Sequence, residues 1–177
     1  MYQLSKMKLK EEFIGWLKAF FIAILVALFL RTFIFATSIV DGDSMFPTLE
    51  DGERVIFNKA IYMIGEPDRG DIVIIQRPFK NYVKRIVGLP GETIEVKEHT
   101  LYINDKVYHQ DFLSKEMQQK TSDFGPIKIP EESYFVLGDN RARSKDSRNG
   151  LGFISKQEII GRSEFIIYPF SEWSFTK

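Results

Sequence analysis

The sequence predicts an all-β domain, a barrel or a pair of packed sheets, carried behind one N-terminal transmembrane helix. Three observations lead there. Residues 19–30 form an unbroken apolar run, AFFIAILVALFL, close to the N-terminus. From residue 36 onward, short stretches rich in β-branched and aromatic residues recur at close spacing. Clusters of Gly, Asp, Asn and Pro separate them, which is the punctuation of many short strands. A chain of 177 residues suits one such domain with a small appendage.

The helix comes first. Twelve apolar residues are too few to cross a bilayer and would suit the core of a secretory signal peptide. Extended to 13–35, the segment holds 23 residues of which only Lys18 and Arg31 are charged. As a helix it spans about 34 Å against a hydrocarbon core of about 30 Å. Lys18 and Arg31 lie near its two ends, where long cationic side chains reach headgroups, and Trp16 suits an interfacial anchor. A cleaved signal peptide is the main rival, since Ala36, Thr37 and Ser38 are small; the bulky, charged approach over 31–35 opposes it. A buried soluble helix is weaker, because Phe, Ile and Leu surround the whole circumference. Lys6, Lys8, Lys10 and Lys18 precede the run, so residues 1–12 are expected in the cytoplasm and 36–177 outside, on a single-pass chain.

The strands follow at 54–57, 71–75, 82–87, 93–96, 101–103, 134–137 and 165–168. Asp51-Gly52, Arg69-Gly70-Asp71, Leu89-Pro90-Gly91, Asn104-Asp105, Gly125-Pro126 and Gly138-Asp139-Asn140 mark the turns between them. Residues 112–121 are polar and read as one short helix or a loop.

Composition removes several function classes. Twenty-four basic residues balance 24 acidic ones, so no general nucleic-acid binder is indicated. The absence of cysteine excludes disulfides, thiolate nucleophiles and Cys-ligated metal. Only two histidines, His99 and His109, are present, so a multi-histidine metal centre is not expected either. No metal or cofactor is predicted.

Three segments concentrate chemistry. Val40-Asp41-Gly42-Asp43-Ser44-Met45-Phe46-Pro47-Thr48-Leu49 suits a tight loop presenting a hydroxyl, although Ser, Asp, Gly and Pro are all ordinary turn formers. In Tyr82-Val83-Lys84-Arg85-Ile86-Val87, Lys84 interrupts a strongly β run. Alternation puts it on the face of Tyr82 and Ile86, with Arg85 pointing the other way. A lysine among apolar neighbours loses hydration and its pKa falls; the bland alternative is a solvated edge-strand lysine. The third segment, 138–148, packs Asp139, Arg141, Ser144, Asp146 and Arg148 into a loop after a strand. Such a loop orients a catalytic neighbour or is simply a solvated turn.

Together GDSMFPTL, YVKRIVGLPGE and GDNRARSKDSR, in this order behind a membrane anchor, resemble bacterial type I signal peptidases, in the short single-anchor form of Gram-positive bacteria. The resemblance runs from the anchor to about Tyr168. It implies a signal-peptidase-like β fold with a small insertion at about 98–126, and a serine endopeptidase working through a Ser/Lys dyad. Ser44 is then the nucleophile and Lys84 the general base. Ser144 is expected to hydrogen-bond the lysine amine. Asp146 and Arg148 form a supporting ion pair, and Asp139 and Arg85 stabilise the same region. Val40, Tyr82 and Val83 line the substrate pocket. The implied partners are signal peptides of exported preproteins and the lipid bilayer, with the general export channel a candidate neighbour and no nucleic acid. One departure concerns Gly42: another branch of the family has a serine there to help bind the oxyanion, so backbone N–H, chiefly that of Ser44, or water must serve here.

Two readings compete with leader-peptide cleavage by this dyad. One is a non-catalytic, membrane-anchored β-domain that binds exported chains. The other is a Ser44–histidine relay, which the polar settings of His99 and His109, outside the motifs, argue against. Nine residues separate Phe35 from Ser44, at most about 30 Å, so the hydroxyl is expected to work near the outer leaflet. Self-cleavage after Ala36 or Ser38 is a related expectation.

Overall fold

The structure, a computed structural model, describes residues 2–176. Met1 and Lys177, the outermost residues of the predicted cytoplasmic and outer segments, lie outside the described residues. Helix α1 (Tyr2–Phe29) runs directly into one π-helical turn, Leu30–Ile34, closed by the Phe35 N–H donating to the Leu30 carbonyl. The helix is therefore longer at its start than the apolar segment 13–35. The Lys-, Leu-, Met- and Glu-rich leader consists of good helix formers and continues it. Within it Glu12–Ile34 is long and apolar enough to cross a membrane, and none of that span is buried against the rest of the fold.

At Phe35 the backbone turns extended and opens strand β1 (Phe35–Ile39). The remaining strands are β2 (Arg54–Asn58), β3 (Ile72–Gln76), β4 (Asn81–Gly88), β5 (Thr93–Lys97), β6 (Thr100–Ile103), β7 (Lys106–Val107), β8 (Phe124–Lys128), β9 (Ser133–Leu137), β10 (Ile154–Ser155), β11 (Ile159–Tyr168) and β12 (Ser174–Phe175). Two short helices, α2 (Ile61–Ile64) and α3 (Lys115–Gln119), interrupt them. Each predicted strand is present. The polar stretch 112–121 is both alternatives at once, a loop leading into α3, which Ser114 caps by accepting from the Met117 N–H.

The large sheet has the order β1-β2-β11-β3-β4-β9-β10, with β12 beside β11. The small sheet has the order β7-β6-β5-β8. Of the two architectures left open by the sequence, packed open sheets are the one adopted. The predicted insertion at 98–126 corresponds to most of the small sheet beyond β5, together with α3. It is folded onto the domain: Phe124 stacks on Phe135 of β9, and Val96, Leu101 and Ile129 share one core with Leu137. Asn104 and Asp105 both have positive φ, the conformation of the tight hairpin turn their sequence announces.

Two further apolar cores flank the large sheet. One gathers Val73, Ile75, Ile86, Val136 and Ile154; the other gathers Val40, Met45, Leu49, Val55 and Ile72. The second core clamps both ends of the Ser44 loop, because Met45 and Leu49 are fully buried on either side of Phe46-Pro47-Thr48. Burying two such side chains stabilises the fold by roughly 3–6 kcal/mol and fixes where the loop can sit.

Strand β1 bears on the processing-site reading. Ala36 pairs with Phe57 and Ser38 with Val55, and the Lys59 N–H donates to the Ile34 carbonyl at 2.7 Å. The small residues after the apolar run are thus an integral strand of the domain. Cleavage after Ala36 or Ser38 requires that strand to leave the sheet first.

Candidate active site

Strand β4 brings the second chemical segment into the middle of the large sheet, between β3 and β9. Lys84 lies opposite Val73 of β3, and alternation sends its side chain to the face of Tyr82 and Ile86, as the sequence pattern predicts. It is 2% exposed. Its Nζ lies 2.7 Å from Ser44 Oγ and donates to the Val83 carbonyl at 2.6 Å. Burial pushes this amine down from its ordinary 10.5 to about 8, helped by Lys80 and opposed by Asp146 and Asp139. Desolvation disfavours the cation, and among the described residues no carboxylate forms an ion pair with it.

The Ser44 loop is held from three sides. The Gly42 N–H donates to Asp51 at 2.7 Å, the Asn140 N–H donates to the Ser44 carbonyl at 3.1 Å, and Thr48 Oγ1 donates to Asp139 at 2.6 Å. Gly42 has φ +85°, a conformation that favours glycine. The missing side chain at this position therefore follows from the backbone the loop adopts. Open space surrounds the point where a Cβ would lie, so conformation and not crowding selects glycine.

Behind Ser44 and Lys84 the third segment forms a buried polar lattice. Arg85 and Asp139, 2% and 0% exposed, form a close pair with Nη2 to Oδ2 at 2.7 Å, and Arg85 Nη1 donates to the Gly70 carbonyl. Asp146 accepts from Arg148 at 2.8 Å and from the Gly138 N–H at 3.1 Å. These two pairs hold 138–148 against β4.

One expectation is corrected. The hydroxyl of Ser144 does not hydrogen-bond Lys84; it is buried without any hydrogen-bond partner among the described residues. The reason lies at Gly138, where a Cβ would come within 2.1 Å of Ser144 Oγ and 2.4 Å of the Ser44 carbonyl oxygen. Ser144 occupies the room that glycine leaves, while the amine is satisfied by Val83 and Ser44.

Val40, Tyr82 and Val83 line a cleft of about 350 Å³ together with Ser44 and Lys84. Sequence reasoning missed Lys80, Arg143 and Lys145, which also line it, and Thr48, which ties the Ser44 loop to Asp139. Thr48 lies inside the first motif, the only signal that pointed to it. The histidines are elsewhere: His99 is exposed in the β5–β6 turn, with Nδ1 against the Thr121 carbonyl, and His109 is exposed after β7.

A serine within hydrogen-bond distance of a buried lysine in a peptide-sized cleft is the equipment of a hydrolase. Residues 13–168 match the family model described as "Signal peptidase, peptidase S26". The chain belongs to the signal peptidase family, peptidase S26. The peptidase is 49% identical over 171 residues to signal peptidase I S of Bacillus subtilis, covering 92% of this chain and 93% of that one. It is also 49% identical to a signal peptidase I of Bacillus licheniformis, with 92% of both chains covered. Among solved structures, a signal peptidase I from Enterococcus faecalis is 36% identical, with a TM-score of 0.50, covering 55% of this chain and 97% of that one. The peptidase is a serine peptidase with an N-terminal apolar helix suited to membrane anchoring.

Proposed function

We propose that this peptidase removes signal peptides from exported preproteins at the outer face of the cytoplasmic membrane, with Ser44 as nucleophile and Lys84 as general base. Residues 1–12 then face the cytoplasm, α1 crosses once, and 36–177 lie outside. The same placement brings the domain close to where the general export channel delivers its cargo. The observation that carries the reading is the 2.7 Å separation of Lys84 Nζ from Ser44 Oγ in a site where burial favours the neutral amine.

In this mechanism the neutral amine keeps its N–H···O bond to Val83 and turns its lone pair to the Ser44 hydroxyl. Oγ attacks the scissile carbonyl as its proton passes to Nζ. The tetrahedral adduct collapses by breaking the C–N bond, and the leaving amine takes the proton back from Nζ. Lys84 then draws a proton from water, which attacks the ester; as the acyl C–O bond breaks, Nζ returns that proton to Ser44 Oγ and both groups regain their starting states. Backbone N–H, chiefly that of Ser44, takes the place of a side-chain donor to the oxyanion, because Gly42 has none. Asp139, Arg85, Asp146 and Arg148 act as positioning residues, and so does Ser144, through packing against Gly138. Val40, Tyr82 and Val83 accept small side chains and exclude large ones by clash.

The test uses the full chain in detergent with one defined preprotein and mass measurement of the products. A single cut after a small residue is expected, abolished by Ser44→Ala and by Lys84→Ala in variants that still fold. Normal processing by either variant ends the dyad reading. Absence of turnover by the wild type favours a binding domain.

A further inference from the structure

We propose that the groove between the end of the membrane helix and the large sheet binds an anionic phospholipid, its phosphodiester held between Arg31 and Arg54. The inference rests on α1 crossing the bilayer.

The groove has a volume of about 780 Å³ and is walled by Ala27 and Leu30 of the helix, Phe35 of β1, Ile56 of β2 and Ile167 of β11. Arg31 and Arg54 are its only charged lining residues, and both are exposed. Six of the other seven arginines, Arg69, Arg77, Arg85, Arg143, Arg148 and Arg162, each meet a carboxylate; the exception, Arg141, is buried away from solvent. Among the described residues neither Arg31 nor Arg54 does.

Position makes that pair informative. Arg31 stands three residues before Ile34, where the membrane-length segment ends, so its side chain reaches headgroup level. Cations flanking a span on the outer side run against the usual charge bias of membrane proteins. A guanidinium held there gains most from an anion within the same interface. Two guanidiniums converging on one groove match a phosphodiester, which accepts paired N–H donors, while the apolar walls match the glycerol backbone and first methylenes.

The groove is also fixed in shape. The Lys59 N–H and Nζ donate to the carbonyls of Ile34 and Thr32, at 2.7 and 2.5 Å, which ties the helix end to the sheet. Arg54 pairs in register with Ile39 and Tyr168, so the strand that carries it is paired on both sides. A bound lipid would clamp helix and domain at one angle and set the height of the Ser44 cleft above the bilayer.

The experiment places the full chain in vesicles of equal parts phosphatidylglycerol and phosphatidylcholine, extracts it gently, and reads retained lipid by native mass spectrometry. Flotation with the same vesicles runs alongside. Wild type is expected to float and to retain phosphatidylglycerol over phosphatidylcholine. Arg31→Gln and Arg54→Gln should each reduce that retention about fivefold, and together about 25-fold, the effect of cationic contacts beside an anionic surface. Both residues are exposed, so the variants should fold and float like wild type. A double variant that retains as much phosphatidylglycerol as wild type overturns the site, as does equal retention of the two lipids. A wild-type chain that fails to float overturns the membrane span and the site with it.

Discussion

Lys84 and Arg85 are neighbours on β4, equally buried at 2%, and they meet opposite electrostatic fates. On the Arg85 side the cation is matched by Asp139, by the Gly70 carbonyl and by the ring of Phe112, 4.1 Å from its centroid. On the Lys84 side the amine meets a hydroxyl, a carbonyl and, more distantly, the Tyr82 ring at 5.9 Å from its centroid, and burial drives it toward neutrality. The two faces show how one sheet holds both a paired, structural charge and an amine shifted toward neutrality. What differs is whether a carboxylate is built opposite the cation.

The largest effects should come from exchanging those fates. Lys84→Arg places a permanently charged guanidinium where the proposed mechanism needs a proton acceptor, and processing should fall at least about 10⁴-fold in a preprotein assay. Retained activity would break the comparison. Gly138→Ala should be nearly as severe, because a Cβ there meets the Ser44 backbone at 2.4 Å as well as Ser144. Both processing rate and thermal midpoint are expected to fall.

Stability should separate the faces next. Arg85→Met leaves Asp139 buried and unpaired and should destabilise by about 3–5 kcal/mol in denaturant unfolding. Lys84→Met removes a charge that folding disfavours. Below pH 8 the amine is protonated in both states, and the folded state bears the full desolvation penalty. From pH 8 to 10.5 only the unfolded state keeps the proton, so stability rises with pH across that window. Lys84→Met should therefore gain about 1–3 kcal/mol at pH 7, lose the rise above pH 8, and be inactive.

The pH profile is a finer probe. With chemistry rate-limiting, kcat/KM should climb about tenfold per pH unit below about 8 and level off above it, as the neutral fraction of Lys84 saturates. A flat profile from pH 6 to 10 would count against Lys84 as the base. The smallest effect is expected from Lys80→Gln. Lys80 helps hold the Lys84 amine down, so removing it should move the half-maximum upward by a few tenths of a pH unit, less at high salt.

Legibility followed the range of the forces involved. The apolar span and the strands at 72–76 and 81–88 were readable because their residues repeat a local pattern. β7, β10 and β12, two residues each, carry no such pattern and exist by pairing with longer neighbours. β8 includes Pro126, acceptable because it is an edge strand. Alternation correctly separated Lys84 from Arg85. It gave no hint that Thr48 would reach Asp139 across 91 positions, or that Ser144 would turn into the space over Gly138. Nor did it show that Arg141 would be buried with both terminal nitrogens unpartnered among the described residues, in a setting that lowers its pKa to about 10 through desolvation.

By itself the sequence determined the membrane-length helix, the β character of the rest, and which serine and lysine belong together by motif order. Those properties depend on side-chain pattern along the chain. The tertiary structure alone decided that β11 inserts between β2 and β3, that the lysine is dry, and where its second contact lies. Desolvation depends on every element packed around a group, and those elements come from distant parts of the chain.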